Sequence, residues 1–154
     1  MNAILKKLQI KSGATVMFSN LPDDLQWMRS ELELIGAMES TNTSDFTVAI
    51  GFGTNSDVIN SFFRSIKDTV KNDEIVWFCY PKKTSKKYAS TINRDSGWDG
   101  ISDLTFEPVM QVAIDEDWSA LRFRKIEFIK KFTRSESMVI SKTAKERKQL
   151  ESKK

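Results

Sequence analysis

The 154-residue chain carries 24 Lys/Arg against 21 Asp/Glu, is 40% hydrophobic and 29% charged, and contains one cysteine and no histidine. Such proportions suit one globular domain with a sizeable core. Without histidine there is no Ser-His or Cys-His catalytic pair and no ordinary zinc site, and a single cysteine excludes an internal disulfide.

Cys79 lies inside an apolar run and is expected to be a small buried hydrophobe, consistent with a reducing cytoplasm. Lys6 and Lys7 are not followed by the apolar run of a signal peptide, and no stretch approaches the roughly 20 apolar residues that span a bilayer. No membrane partner is therefore expected. The formal charge of +3 is unevenly spread: residues 1–121 hold 12 Lys/Arg and 17 Asp/Glu, and residues 122–154 hold 12 and 4. The basic character belongs to the C-terminal end.

In chain order, residues 2–9 place Ile4, Leu5 and Leu8 at helical spacing behind Asn2, which predicts a short leading helix. Ala14–Ser19 is apolar and β-rich, a first strand broken by Asn20-Leu21-Pro22. Asp23 or Asp24 is expected to cap a helix to about Ile35, with Leu25, Met28, Leu32 and Ile35 on one face and Gly36 closing it. Met38–Thr41 is a candidate edge strand. Asp45–Phe52 predicts a buried strand. A helix capped at Thr54, Asn55 or Ser56 follows to about Val70, its stripe made by Val58, Ile59, Phe62, Phe63, Ile66 and Val70.

Glu74–Tyr80 is an unbroken apolar, β-branched and aromatic run ending at Pro81. It predicts a strand buried on both faces, at the centre of a parallel or mixed sheet. Lys82–Ser90 is a polar loop with four lysines. A short helix is predicted over about Ser96–Leu104, a strand over Pro108–Ile114, an acidic turn at Asp115–Asp117, and a strand with one wet face over Trp118–Phe128, the last two strands forming a hairpin. Residues 135–154 read as a basic, solvated tail behind a single domain of residues 1–134.

Alternating strands and helices with right-handed crossovers give an α/β, three-layer doubly wound mixed sheet with a C-terminal antiparallel hairpin. Ligands in such sheets sit beyond the carboxyl ends of the strands. The residues expected there are Asn20, Tyr80, Lys82, Asn93, Arg94 and Asp95, with Trp98, and with Asp115, Trp118 and Arg122 from the hairpin. Lys82 and Arg94 suit an anion, helped by helix N-termini near Asn20 and Asn55; the competing reading pairs Arg94 with Asp95 or Asp115. Asp115 and Arg122 are expected to form a structural ion pair. Trp98 and Trp118 would cap the loop or stack on a ligand ring. Three consecutive turn acids point in different directions, so no metal site is expected.

The element order from Ile10 to Phe128 resembles the methyltransferase version of the doubly wound fold. Tyr80-Pro81-Lys82, Asn93-Arg94-Asp95 and Asp115–Arg122 (DEDWSALR) also resemble a small bacterial family of truncated, methyltransferase-like domains without assigned function. The resemblance to methyltransferases implies a glycine-rich turn after the first strand and an acidic residue near Glu39 to hold a cofactor ribose. Here the turn is Ser19-Asn20-Leu21-Pro22, without glycine, and Gly51-Phe52-Gly53 supplies only G-x-G. The expectation is a non-catalytic methyltransferase-like binding or interaction module with no cofactor, taking a small anion or a protein partner. The alternatives are an enzyme acting on a small anion clamped by Lys82 and Arg94, with Tyr80 or Asp95 moving a proton, and weak nucleic-acid association through the basic tail.

Overall fold

The computed structural model describes residues 3–92, 98, 101 and 106–129. Its elements are α1 (Ala3–Lys7), β1 (Thr15–Ser19), a 3-10 turn (Asp23–Leu25), α2 (Trp27–Leu34), β2 (Met38–Ser40), β3 (Val48–Phe52), α3 (Ser56–Ile66), β4 (Ile75–Pro81), β5 (Phe106–Ala113), β6 (Trp118–Lys125) and a 3-10 turn (Ile126–Phe128). The predicted helix over Ser96–Leu104 and the tail fall outside the described residues, apart from Trp98 and Ile101.

One six-stranded sheet runs in the order β2-β1-β3-β4-β6-β5. The first four strands are parallel, β6 is antiparallel to β4, and β5 is antiparallel to β6. The strand placed at the centre by its apolar run is indeed interior: β4 lies between β3 and β6, and its residues from Val76 to Pro81 are all buried. Pro81 ends β4, where a missing N–H costs least.

Pleating divides β4 between two cores. Val76, Phe78 and Tyr80 face α3, where Ile59, Phe62, Phe63 and Ile66 form an aromatic-rich layer with Leu121 and Phe123. Trp77 and Cys79 face α1 and α2, with Leu5, Leu8, Leu25, Met28 and Leu32. The Trp77 indole N–H donates to the Leu8 carbonyl at 3.0 Å, so α1 is pinned to the middle of the sheet. Gly36 closes α2 at φ +78 while Ala37 N–H reaches back to Leu32 C=O at 2.9 Å, the bonding a left-handed helix terminus needs.

Several boundaries differ from the sequence reading. β3 starts at Val48 and not Asp45, because Asp45 N–H bonds Asn42 C=O in a turn. α3 ends at Ile66, and Val70 is buried in the turn that follows. Neither Asp23 nor Asp24 caps a helix: Pro22 stands at the N-cap position of the 3-10 turn, with no side-chain cap bond. β6 has no wet face along its first half. Trp118, Ser119, Ala120 and Leu121 are all buried, because the strand lies inside the sheet between β4 and β5. Leu121 and Phe123 share the α3 face, and Trp118 lies on the opposite one.

Candidate functional site at the strand carboxyl ends

β1 leaves the sheet at Asn20, which adopts φ +57, a left-handed conformation that asparagine tolerates better than other non-glycine residues. Its side-chain amide donates to Phe52 C=O at 3.4 Å, tying the end of β1 to the end of β3. After β3, Asn55 caps α3 by accepting from Val58 N–H at 3.1 Å. The two glycines of Gly51-Phe52-Gly53 have a packing reason. A Cβ at Gly51 would lie 2.7 Å from the Phe62 ring, and one at Gly53 would lie 2.5 Å from Val58. They let α3 rest directly on β3.

The lysine-rich loop after Pro81 does not wave in solvent but folds back across these strand ends. Lys82 N–H donates to Asp117 C=O at 2.7 Å, and the Ser85 hydroxyl donates to the Asp117 carboxylate at 2.7 Å. Ser85 Oγ in turn accepts from Tyr88 N–H at 3.0 Å. The Tyr88 hydroxyl donates to one oxygen of Asp24 at 2.8 Å, and Lys87 Nζ meets the other at 2.5 Å. Further on, Thr91 N–H donates to Thr54 C=O at 3.0 Å. The loop is thus stitched to the hairpin turn, to the 3-10 turn after β1 and to the loop after β3.

Between strap and sheet lies a crevice of about 420 Å³, lined by Asn20, Asp24, Phe52, Thr54, Tyr88 and Trp118 among others. Its floor is aromatic: the Tyr88 ring lies 4.9 Å from Trp118, and Trp118 meets Phe52 edge-on at 5.4 Å. The Trp118 indole N–H is buried there without a protein acceptor. The hydrogen bond from Lys87, then that from Tyr88, holds the Asp24 carboxyl below its ordinary pKa. The same bonds to Asp24 raise the pKa values of Lys87 and of Tyr88.

The ten residues singled out by sequence are not brought to one place. Asn20 and Trp118 line the crevice. Lys82 lies beside it, on a separate polar recess of about 580 Å³ shared with Lys83 and Lys86. Tyr80 is buried, its hydroxyl accepting from Gln111 Nε2 at 3.0 Å. Trp98 is 1% exposed and packs edge-on against Phe78 and Tyr80 at 5.7 and 5.6 Å, inside the aromatic core. Asn93, Arg94 and Asp95 lie outside the described residues.

The Asp115–Arg122 ion pair does not form. Asp115 turns its carboxylate onto the N–H groups of Asp117 and Trp118, both at 2.8 Å, and so builds the hairpin turn. Arg122 sits opposite Trp77 in register and donates from Nη1 to Gln9 Oε1 at 2.6 Å, away from the turn. Among the described residues no three metal-ligating side chains cluster, and no helix is long and apolar enough to cross a membrane. Sequence reading passed over Asp24 as a binding residue and took Tyr88 only as part of the polar loop Lys82–Ser90. A lone aromatic amid four lysines was the available sign that one end of the loop is anchored.

No family model and no curated protein sequence matches the chain. Its fold, however, is that of Rossmann-like methyltransferases. The structure is similar to a tRNA (m1A22) methyltransferase, TrmK, of B. subtilis, with a TM-score of 0.50 and 9% identity over 81% of this chain and 66% of that one. It is similar to a SAM-dependent methyltransferase of Aquifex aeolicus, with a TM-score of 0.53 and 11% identity over 80% of this chain and 88% of that one. A third similar structure is Sp1610 of Streptococcus pneumoniae, solved in complex with S-adenosyl-L-methionine. There the TM-score is 0.53 and the identity 10%, over 99% of this chain and 88% of that one. The chain spans just under two thirds of the length of the first of these.

Proposed function

We propose that this domain is a non-catalytic, methyltransferase-like binding or interaction module that has no place for the cofactor of the enzymes it resembles. The observation that carries the reading is the strap. Tyr88 and Lys87 are anchored on Asp24, and Thr91 on Thr54, so a segment of the chain itself walls the crevice between the ends of β1 and β3. Two further features point the same way. The turn after β1 presents Leu21 and Pro22 where a close backbone approach needs a bare chain, and proline offers no N–H. Glu39, the acid placed to meet a ribose, is held by Arg29 at 2.9 Å across α2 and β2.

Opening the strap would break a charge-assisted pair, a phenol hydrogen bond and the Tyr88–Trp118 ring contact together, a cost any ligand must meet from its own binding energy. Isothermal titration of the full chain with S-adenosylmethionine is expected to give no heat of binding. A micromolar dissociation constant would overturn this reading.

A further inference from the structure

The opposite, amino-terminal end of the parallel strands holds a second and larger cavity, of about 820 Å³, within the size range of small-molecule sites. Its walls are apolar at Ile10, Val48 and Ile75 and cationic at Lys6 and Lys11, and none of its lining residues is acidic. Gln9 forms a further part of the wall and is held at φ +62, an unusual backbone state for a glutamine. Its carboxamide oxygen is the acceptor for Arg122 Nη1. Arg122 is half-buried, and its Nε is buried without any protein acceptor.

Arg124, two residues along the same face of β6, shows what such a guanidinium does when an acid is present. Its Nε and Nη2 grip the two oxygens of Asp73 at 3.1 and 2.5 Å, a side-on bidentate pair. Among the described residues Arg122 has no acid within ion-pairing distance, and its side-chain partner is the neutral Gln9. The acids nearest in sequence to Ile75 are committed elsewhere: Asp73 to Arg124, and Glu74 to the N–H of Asn72. A half-buried charge answered by a neutral amide is poorly compensated. Burial first, and Arg124 second, depress the pKa of Arg122, with Asp73 opposing.

We propose that this amino-end cavity binds a small organic acid, a carboxylate on an apolar body. Lys6 and Lys11 on the wall, and Arg122 behind Gln9 and outside the lining, are the counter-ions, and Ile10, Val48 and Ile75 receive the apolar part. Gln9 is the exchangeable partner: its neutral oxygen gives way to a charged one, and the guanidinium gains the fork-like contact that Arg124 already has. The site is independent of the strap, since it lies at the other end of the strands.

The test uses octanoate as the probe, with acetate and 1-octanol as single-feature controls, by isothermal titration into the full chain. Octanoate is expected to bind, and acetate and octanol are not. Arg122→Gln is expected to weaken octanoate roughly tenfold or more, the scale of losing a hydrogen-bonded charge partner. Gln9→Glu supplies the missing carboxylate from within. It is expected to raise the melting temperature and to weaken octanoate by a similar factor, so the proposal can be judged even if Arg122→Gln does not fold. No binding of octanoate at about 10 mM, a concentration above even a weak millimolar constant, would sink the proposal. So would equal binding of octanol, or octanoate affinity unchanged by Gln9→Glu.

Discussion

The two ends of the sheet handle charge in opposite ways. At the carboxyl end, the strap brings Lys87 and Tyr88 to Asp24 and Ser85 to Asp117, so these two carboxylates each receive donors from it. At the amino end, Lys6 and Lys11 line a cavity whose lining carries no acid, and Arg122 stands behind it, bonded to the lining residue Gln9. In this fold the carboxyl end is the customary place for a ligand. Here the strap gives Asp24 and Asp117 donors, while the Trp118 indole N–H at the same end and Arg122 Nε toward the other are buried without acceptors. Location in a fold is thus a weaker guide to a binding surface than which polar groups still need a partner.

Both ends hang on one scaffold, so the largest expected effect removes both at once. Phe123 is fully buried, 5.0 Å from Phe63 and 5.2 Å from Trp98. Phe123→Ala is expected to cost about 3–5 kcal/mol in urea melts, a large part of the stability of a domain this size. A loss below about 1 kcal/mol would mean the aromatic layer is not the common support.

A smaller effect separates packing from ligand recognition at the carboxyl end. Gly51→Ala drives a methyl group into Phe62 and is expected to destabilise by about 1–3 kcal/mol. An unchanged midpoint would return the Gly51-Phe52-Gly53 segment to consideration as a phosphate-binding turn.

At the amino end, Arg124 and Asp73 are both partly exposed, and their pair is screened by solvent. Arg124→Ala is therefore expected to cost only about 0–1 kcal/mol. A much larger loss would show that this filled fork is a structural clamp and would weaken its use as the standard against which Arg122 is judged.

The mildest effect is local. Asp24→Asn is expected to leave the unfolding midpoint nearly unchanged while speeding amide exchange through residues 85–91. The pH dependence follows from the same group. Because the Asp24 pKa is lowered in the folded state, its contribution is present above the ordinary carboxylate value of 3.8 and is lost as pH falls through the lowered one. The pKa values of Lys87 and Tyr88 are raised by Asp24, so their share persists below their ordinary values of 10.5 and 10.0 and is lost as pH rises through the raised ones. Protection in the strap, taken relative to the intrinsic exchange rate at each pH, should thus be greatest across the neutral range and fall at both extremes. Protection that is flat with pH would show that Asp24 does not hold the strap.

How much of this was legible in the sequence depends on the range of the interaction. The unbroken apolar run of β4, the apolar stripe of α3 and the glycine after α2 are local patterns, and each element formed on its pattern, with α3 ending at Ile66 before the last residue of its stripe. The wetness of β6 was misjudged because alternating charges in Trp118–Lys125 fit an edge strand, and only the sheet order reveals that β5 takes that edge. The pairing of Asp115 with Arg122 failed for a related reason. Two charges near each other in sequence suggested a pair, but the turn needed Asp115 for its own N–H groups, and Arg122 met Gln9, 113 residues away. The strap joins Asp24 to residues 63 and 64 positions on, a distance over which no periodicity carries information.

The central claim, that the chain's own loop closes the site its fold would offer a cofactor, is tested most directly by amide hydrogen exchange of the full chain with and without saturating S-adenosylmethionine. The account predicts protection at Lys82, Ser85, Tyr88 and Thr91, whose N–H groups are all bonded, and no change when S-adenosylmethionine is added. Fast exchange at these positions in the free protein, slowed on adding S-adenosylmethionine, would contradict it.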